Sequence, residues 1–357
     1  MPEMTGMRTH RFMTVDALRG LGALTVMAFH NDYLRSFCPH GCLAVDLFFV
    51  LSGLVLAEAY GERLAARLSV GGFMAIRFIR LYPFYAISTL LGLLAGVLAS
   101  RFGAHNPDWN PGDLAGSLAF SALLLPTPPL LGFISLYPLL IAAWSLAYEL
   151  LVNLAWALLR PKVRAAGLAL VVAAAACGML YLVLARSVSV NTDSVWSRDS
   201  VGMASCRILY SFGMGLFISR FRRGFPFGVN PWIPLGLALA VLTADPARFG
   251  SGFDLCAVLV VLPMVVLLAS NSEPLYRWES RGFAFFGDAS YGIYMLHLPV
   301  VALCYRLLAP LGPTPGFWFA VATMGLVVLL ADGLGRAYDL PVRRWLAGRS
   351  KAMFALP

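Results

Sequence analysis

An arginine and a histidine lie on one segment that is otherwise apolar enough to cross a membrane. Arg19 and His30 both fall within residues 14–33, and the acid Asp46 follows on the next apolar segment. A charged side chain near the centre of a bilayer costs about 2.5–3.5 kcal/mol on insertion scales, so such residues usually have a function. The pattern therefore predicts chemistry inside a membrane helix bundle.

The composition supports a membrane protein over its whole length. Apolar residues make up 59% of the 357 residues, charged residues make up 13%, and the mean hydropathy is +0.76. Soluble domains carry about 25% charged residues. We therefore predict a single membrane-embedded domain over residues 1–357, with no length left for a soluble catalytic module. The net charge of +9 is mostly arginine, and its distribution argues for membrane topology rather than nucleic-acid binding.

Apolar runs of spanning length predict an all-α polytopic bundle of about ten transmembrane helices with both termini cytoplasmic. The run 113–125 is shorter and is followed by Pro126, so we interpret it as a re-entrant or interfacial helix. The predicted spans lie near residues 14–33, 41–60, 83–101, 141–159, 165–184, 204–220, 231–246, 252–270, 289–308 and 316–335.

The basic residues favour this topology. With ten spans, roughly three times as many Lys and Arg lie on the cytoplasmic side as outside, as the positive-inside rule expects. An eleven-span arrangement would place Arg160, Lys162 and Arg164 outside, which the same rule disfavours.

His30 and Asp46 are predicted to lie at similar depth on neighbouring antiparallel helices, because only a short turn separates the first two spans. A carboxylate partner fixes the tautomer of an imidazole and raises its basicity, as a general base requires. The alternative is that His30 is a hydrogen-bonded packing residue.

Three further groups of polar residues are candidates for the same site. Glu149 follows Trp144 and Ser145 into the fourth span, where it could act as a second acid/base or bind a hydroxyl. Arg77 and Arg80 share one helix face, and guanidinium groups suit phosphate, although both could be topology anchors.

Tyr294 and His297 are three residues apart on the ninth span, after Ser290 and Tyr291. They form either part of a site or a polar packing seam.

Ser52 and the cysteines leave alternatives open. Ser52 is either a nucleophile or, with Gly53, a point of close helix contact, and we favour the contact. Cys38 and Cys42 flank the outer turn that contains His40. They could form a disulfide in an oxidising periplasm or, less readily, a metal site, since a fourth ligand is not apparent.

Five motifs in order resemble the acyltransferase-3 family of integral membrane acyltransferases. They are Arg19-x10-His30, Val45-Asp46-Leu47-Phe48-Phe49-Val50-Leu51-Ser52-Gly53, Arg77-x-x-Arg80-x-Tyr82-Pro83, Trp144-Ser145-Leu146 with Glu149, and Ser290-Tyr291 through His297-Leu298-Pro299. The resemblance implies a ten-span core that uses cytoplasmic acyl-CoA. It also implies that His30 is the catalytic histidine, Arg19 its paired arginine, and Arg77 and Arg80 donor-binding residues. Asp339-Leu340-Pro341 departs from the family's Glu-x-Pro.

The expected function is transfer of an acyl group, with acetyl as the first expectation, from acyl-CoA to a carbohydrate or glycolipid hydroxyl at a bacterial inner membrane. We expect no metal, no permanently bound cofactor and no nucleic-acid partner. His30, Asp46 and Glu149 are the predicted catalytic residues, and the alternative is a transporter in which they relay protons. An inactive relative that acts as an assembly partner is a third possibility. The predicted substrate-binding or supporting residues are Trp144, Ser145, Ser290, Tyr291, Tyr294 and His297.

Overall fold

The computed structural model describes residues 11–101, 111–160, 164–191, 196–225, 228–246, 252–308 and 316–354, and these residues form a helical bundle without a strand. Lys162 of the topology argument lies outside the described residues. The helices are α1 (Met13–Phe29), α2 (Ala44–Ala66), α3 (Val70–Arg101), α4 (Pro111–Ala122), α5 (Ala143–Leu159), α6 (Ala165–Arg186), α7 (Arg198–Phe221), α8 (Trp232–Leu242), α9 (Gly252–Cys256), α10 (Leu262–Ser270), α11 (Arg277–Leu308), α12 (Phe317–Leu334) and α13 (Leu340–Phe354).

Two π-helical turns join consecutive helices into longer rods. Ala257–Val261 connects α9 to α10, and Gly335–Asp339 connects α12 to α13. In the first turn, the carbonyl oxygen of Leu259 accepts a hydrogen bond from the hydroxyl of Tyr210 on α7. A backbone group that regular helical bonding would occupy is thus bonded to a side chain of a neighbouring helix.

Seven helical segments among the described residues are long and apolar enough to cross a membrane. Three other predicted spans are shorter as helices, since α1 and α5 have 17 residues each and α8 has 11. The prediction of an all-helical membrane bundle is therefore confirmed, while the count of ten and the sides of the termini stay predictions. The place of the 12-residue α4 relative to the membrane also stays a prediction.

The third span begins earlier than the sequence predicted. Helix α3 starts at Val70 rather than near residue 83, and Pro83 lies inside it. Ser69 caps this start, since its hydroxyl oxygen accepts a hydrogen bond 3.1 Å long from the Gly72 amide, a typical N-cap interaction. Arg77 and Arg80 therefore lie within the helix itself.

Close packing along two pairs of helices, α1 with α11 and α2 with α7, organises the core. A Cβ on Gly53 would collide with the carbonyl oxygen of Phe212, and one on Gly215 would collide with that of Val50. Only glycine permits this approach of the two backbones, as small residues do at many membrane helix contacts. The interpretation of Ser52-Gly53 as a point of close contact is confirmed at Gly53.

Burial separates the interior helices from those at the periphery. The apolar window of the α2 segment is 72% buried within the protein, whereas that of α6 and that of the rod formed by α12 and α13 are each 22% buried. Large apolar side chains such as Leu170, Leu184 and Leu329 are exposed on these peripheral helices. Such a surface suits lipid.

Candidate active site

His30 lies at the C-terminal end of α1 and faces His297 of α11. The two rings are 5.1 Å apart between centroids, and Nε2 of His297 lies 3.3 Å from Nδ1 of His30. Nδ1 of His30 is also 2.9 Å from the carbonyl oxygen of Val26, and Nδ1 of His297 is 2.7 Å from that of Tyr294. His30 is exposed, whereas His297 is only 1% exposed. The packing of α1 on α11 thus unites two histidines far apart in sequence.

Two cavities meet at His30. The larger, of about 330 Å³, is lined by Phe29, His30, Asp32, Arg35 and Asn191. The smaller extends inward, and its lining includes His30, Cys42, Trp144, Arg207, Tyr294 and His297. The imidazole of His30 is therefore accessible to small groups that enter from either cavity.

The predicted pairing of Asp46 with His30 is wrong. Oδ1 of Asp46 accepts a hydrogen bond 3.1 Å long from Nε of Arg207, and Oδ2 accepts one from Nη2. Ser211 contacts the same carboxylate at 3.4 Å. A deeply buried carboxylate requires a cation and hydrogen-bond donors, and the guanidinium on α7 supplies both. Asp46 therefore holds Arg207 at the wall of the smaller cavity instead of orienting His30.

Glu149, which is partly buried, forms a second polar cluster with buried residues of α2 and α3. Its carboxylate is ion-paired with Arg77 and accepts a hydrogen bond 3.1 Å long from the hydroxyl of Ser52. Arg77 is only 6% exposed, so its guanidinium is a core group rather than a charge at the helix mouth. Because Ser52 donates to Glu149, the hydroxyl serves the packing of three helices.

Arg19 and Arg80 lie near this second cluster. Arg19 lies 3.5 Å from Asp16 on its own helix, and the charges of Arg77, Arg80 and Glu149 act on it. Arg80 is exposed and forms no ion pair within 4 Å among the described residues. The structure therefore brings the three predicted arginines to one region, in which Arg80 presents an accessible guanidinium.

The remaining predicted residues divide between the two regions. Trp144, Tyr294 and His297 line the cavity beside His30, and Ser145 reaches it through a hydrogen bond 2.8 Å long to the Tyr294 hydroxyl.

Ser290 and Tyr291 do not line either cavity. The Ser290 hydroxyl donates to the carbonyl of Gly287 on its own helix, and the Tyr291 hydroxyl donates to the carbonyl of Leu81 on α3. Tyr291 thus ties α11 to the arginine-bearing helix.

A family model matches most of the chain. The family model described as an acyltransferase domain matches residues 14–336. This chain belongs to the acyltransferase-3 family. The matched range contains His30 and His297 together with Arg19, Arg77 and Arg80, so both regions described above lie within the acyltransferase domain.

Two curated proteins are similar to this acyltransferase. "Protein 2 in picA locus" of Rhizobium radiobacter is 37% identical over 155 residues, which are 41% of this chain and 81% of that protein. "Peptidoglycan O-acetyltransferase OatA" of Listeria monocytogenes is 23% identical over 372 residues, which cover 93% of this chain and 56% of that protein. The acyltransferase thus spans just over half the length of the Listeria protein. No solved structure matches it significantly.

Two arginines of this acyltransferase were missed by sequence reasoning. Arg207, which is 3% exposed beside Asp46, is not among the site residues that the sequence predicted. A carboxylate inside an apolar segment is the signal that a cation must lie nearby. Arg343 pairs with Asp339, which is 5% exposed at the end of the second π-helical turn. The charge of Asp339, the acid that departs from the family's Glu-x-Pro, is therefore neutralised by an arginine of α13.

His40, in the turn between α1 and α2, forms a separate pair with Asp254 of α9. Nδ1 of His40 lies 2.6 Å from Oδ1 of Asp254. Cys38 and Cys42 are both buried free thiols, so the disulfide considered from the sequence is not formed in this structure. Among the described residues, three or more His, Cys, Asp or Glu side chains do not come together as they would around a metal ion.

Proposed function

We propose that this acyltransferase transfers an acyl group from acyl-CoA to a hydroxyl of a carbohydrate or glycolipid acceptor, with His30 as the general base. The observation that carries the proposal is that His30 lies where two cavities meet. An accessible guanidinium, that of Arg80 on α3, lies in the region of Arg19 on α1, the helix that ends at His30. The donor and the acceptor would therefore meet at His30 from different directions.

The donor would bind with its nucleotide phosphates against Arg80 and Arg19. Guanidinium groups bind phosphate through paired, charge-assisted hydrogen bonds, and Arg80 is the exposed member of the group. Arg19 and His30 are eleven residues apart on or at the end of α1, which corresponds to about 16 Å along a helix. The extended pantetheine arm of coenzyme A can cover such a distance, so the thioester would reach His30.

Transfer then requires one base, whose imidazole is neutral again at the end of the reaction. Nε2 of His30 removes the hydroxyl proton while the hydroxyl oxygen attacks the thioester carbonyl. The tetrahedral oxyanion collapses, the carbon–sulfur bond breaks, and the departing thiolate takes the proton from the imidazolium. The products are an ester and CoA–SH. The acyl group never resides on the protein in this direct mechanism.

Acetyl as the acyl group and an extracytoplasmic glycan as the acceptor are supported by the Listeria relative, whose name describes a peptidoglycan O-acetyltransferase. A cytoplasmic donor and a location in the bacterial inner membrane complete the proposal. A decisive cellular experiment compares ester-linked acyl groups on envelope glycans between a deletion strain and the same strain complemented with wild type or His30→Ala. We expect the esters to return only with wild type. Esters that are unchanged in the deletion strain would contradict the proposed acceptor class.

A further inference from the structure

We infer that His297 is the positioning residue of His30 and that it acts as a neutral hydrogen-bond acceptor. The inference rests on the proposed role of His30 as the base and adds the group that orients it. The sequence assigned this role to the carboxylate of Asp46, but that carboxylate is bound by Arg207. The ring nitrogen that contacts Nδ1 of His30, at 3.3 Å, is Nε2 of His297.

Backbone carbonyl groups determine the tautomers of both rings. The carbonyl oxygen of Tyr294 can only accept, so Nδ1 of His297, 2.7 Å away, must carry a proton. In the neutral ring, Nε2 of His297 then carries a lone pair. The carbonyl oxygen of Val26 likewise requires a proton on Nδ1 of His30, 2.9 Å away. That proton is shared with Nε2 of His297 at 3.3 Å, and Nε2 of His30 becomes its basic nitrogen.

This geometry requires a neutral His297. A proton on Nε2 of His297 would point at the N–H of His30, so the contact between them would be lost. It would also place a charge on a side chain that is 1% exposed, which is costly without a partner. His297 therefore accepts from His30 both before and after His30 takes the hydroxyl proton.

A neutral acceptor suits the complete proton cycle. The imidazolium formed at His30 keeps its Nδ1–H directed at Val26 and His297, so its orientation survives the first proton transfer. A neutral nitrogen stabilises that cation less than a carboxylate would, and the attraction of a carboxylate is largest in apolar surroundings. The proton on Nε2 of His30 is thus released more easily to the thiolate that leaves in the second step.

Other ionisable groups face the histidine pair and must be separated from it experimentally. Asp32 and Arg35 line the larger cavity with His30. Cys42, Tyr294 and Arg207 line the smaller one, and the charge of Arg207 is balanced by Asp46. Asp32 is thus the carboxylate that shares a cavity with the base, so Asp32→Asn is the matched control for any effect of pH.

The test uses three substitutions that differ only in what they offer to His30. His297→Phe keeps a ring but removes the acceptor, His297→Gln keeps a neutral acceptor, and His297→Glu supplies a charged one. The full chain is purified and reconstituted in liposomes with acetyl-CoA and a pentamer of N-acetylglucosamine. Release of free CoA is followed as a function of pH, since it counts acetyl transfer to the pentamer and to water alike.

We expect His297→Phe to lower the rate about 10–100-fold, the range typical for loss of a partner that orients a metal-bound histidine. His297→Gln should stay near the wild-type rate. The acidic limb of the pH–rate profile should move to lower pH in His297→Phe, because the imidazolium loses an acceptor. It should stay in place in His297→Gln and move to higher pH in His297→Glu. The Asp32→Asn limb should remain between those of His297→Phe and His297→Glu.

Binding and spectroscopic controls keep the outcomes distinct. Each variant should bind acetyl-CoA with wild-type affinity. If His297→Glu does not fold, the comparison of His297→Phe with His297→Gln tests the inference alone. The chain has five histidines, so ¹⁵N-histidine spectra can report the loss of the Nδ1–H signal of His297 in the Phe variant. Identical acidic limbs in all variants, or a wild-type rate in His297→Phe, would overturn the inference. Undiminished CoA release by His30→Ala would overturn the proposed base itself.

Discussion

Asp46 of α2 and Arg207 of α7 form a two-point ion pair whose side chains are 2% and 3% exposed. Nη1 of Arg207 additionally donates to the carbonyl of Val190 at 2.8 Å. The pair thereby joins two core helices to the chain segment that precedes α7. Its position at the wall of the cavity beside His30 means that one interaction affects both folding and the shape of the site.

Removal of one partner of this ion pair should destabilise the protein strongly. Asp46→Ala leaves the Arg207 guanidinium buried and unpaired, which costs about 3–5 kcal/mol. The double variant Asp46→Leu/Arg207→Met should recover much of that loss, because it removes both charges and fills the space. Thermal unfolding in detergent measures the difference. If Asp46→Ala melted like wild type but lost activity, the carboxylate would have a direct catalytic role instead.

Arg80 and Arg77 should behave differently even though they belong to one motif. Arg80→Ala should weaken acyl-CoA binding about 10–100-fold, since a hydrogen bond to a charged group contributes about 1.5–3 kcal/mol, and should leave the fold intact. Arg80→Lys should recover only part of the affinity, because an ammonium lacks the planar fork. Equilibrium binding of acyl-CoA measures both effects.

Arg77→Ala should instead lower thermal stability, because it leaves Glu149 without its cation. Arg67→Ala is a suitable control for both the stability and the binding measurements, since Arg67 is an exposed arginine at the end of α2. Acyl-CoA affinity that is unchanged in Arg80→Ala would make Arg80 a topology anchor and remove it from the donor site.

The contact of α2 with α7 can be tested through its glycines. Gly53→Ala should destabilise the protein by about 1–3 kcal/mol, as overpacking of a filled interior does, because the added methyl group meets the Phe212 carbonyl. Gly236→Ala is the control, since nothing lies within 4 Å of a Cβ at that helical position. It should be neutral or stabilising by up to about 1 kcal/mol. Equal melting temperatures for the two variants would contradict the close crossing.

Hydropathy was sufficient to predict the helical bundle, and it failed where polar residues begin a helix. Helix α11 starts at Arg277, ahead of the predicted residue 289, because the Glu279 carboxylate bonds the free amides of Leu275 and Tyr276. The Ser69 hydroxyl likewise caps the start of α3, where it accepts from the Gly72 amide. Capping of this kind is local and readable from the sequence. A search for apolar runs nevertheless leaves out the charged first turns that such caps stabilise.

The choice of partners within the site was harder to predict than its members. His30, His297 and Asp46 were all identified as candidates, yet Asp46 was paired with His30, the histidine of the preceding span. The actual partners, Arg207 and His297, come from α7 and α11, and their positions depend on which helices pack together. One sequence contains no direct signal for such long-range packing. The need of a buried carboxylate for a cation was the physical argument that could have pointed to an arginine.

The topology prediction needs a test in membranes. Single reporter cysteines at Ala165, the first residue of α6, and at Ser189, just after its end, should be labelled from opposite sides, with Ser189 outside. The native cysteines should first be replaced, since Cys177 and Cys256 are exposed free thiols. Labelling of both positions from the outside would rule out a spanning α6 and the ten-span arrangement together.

The most direct test of the account is the balance of CoA and ester formed by the purified protein in liposomes. With acetyl-CoA and a glycan acceptor, wild type should form an ester and release at least as much CoA, since water can also accept the acetyl group. His30→Ala should bind acetyl-CoA normally but lose about 10²–10⁴-fold in rate, as expected for removal of a general base. Movement of unmodified glycan across the membrane without release of CoA, or a wild-type rate in His30→Ala, would contradict the account.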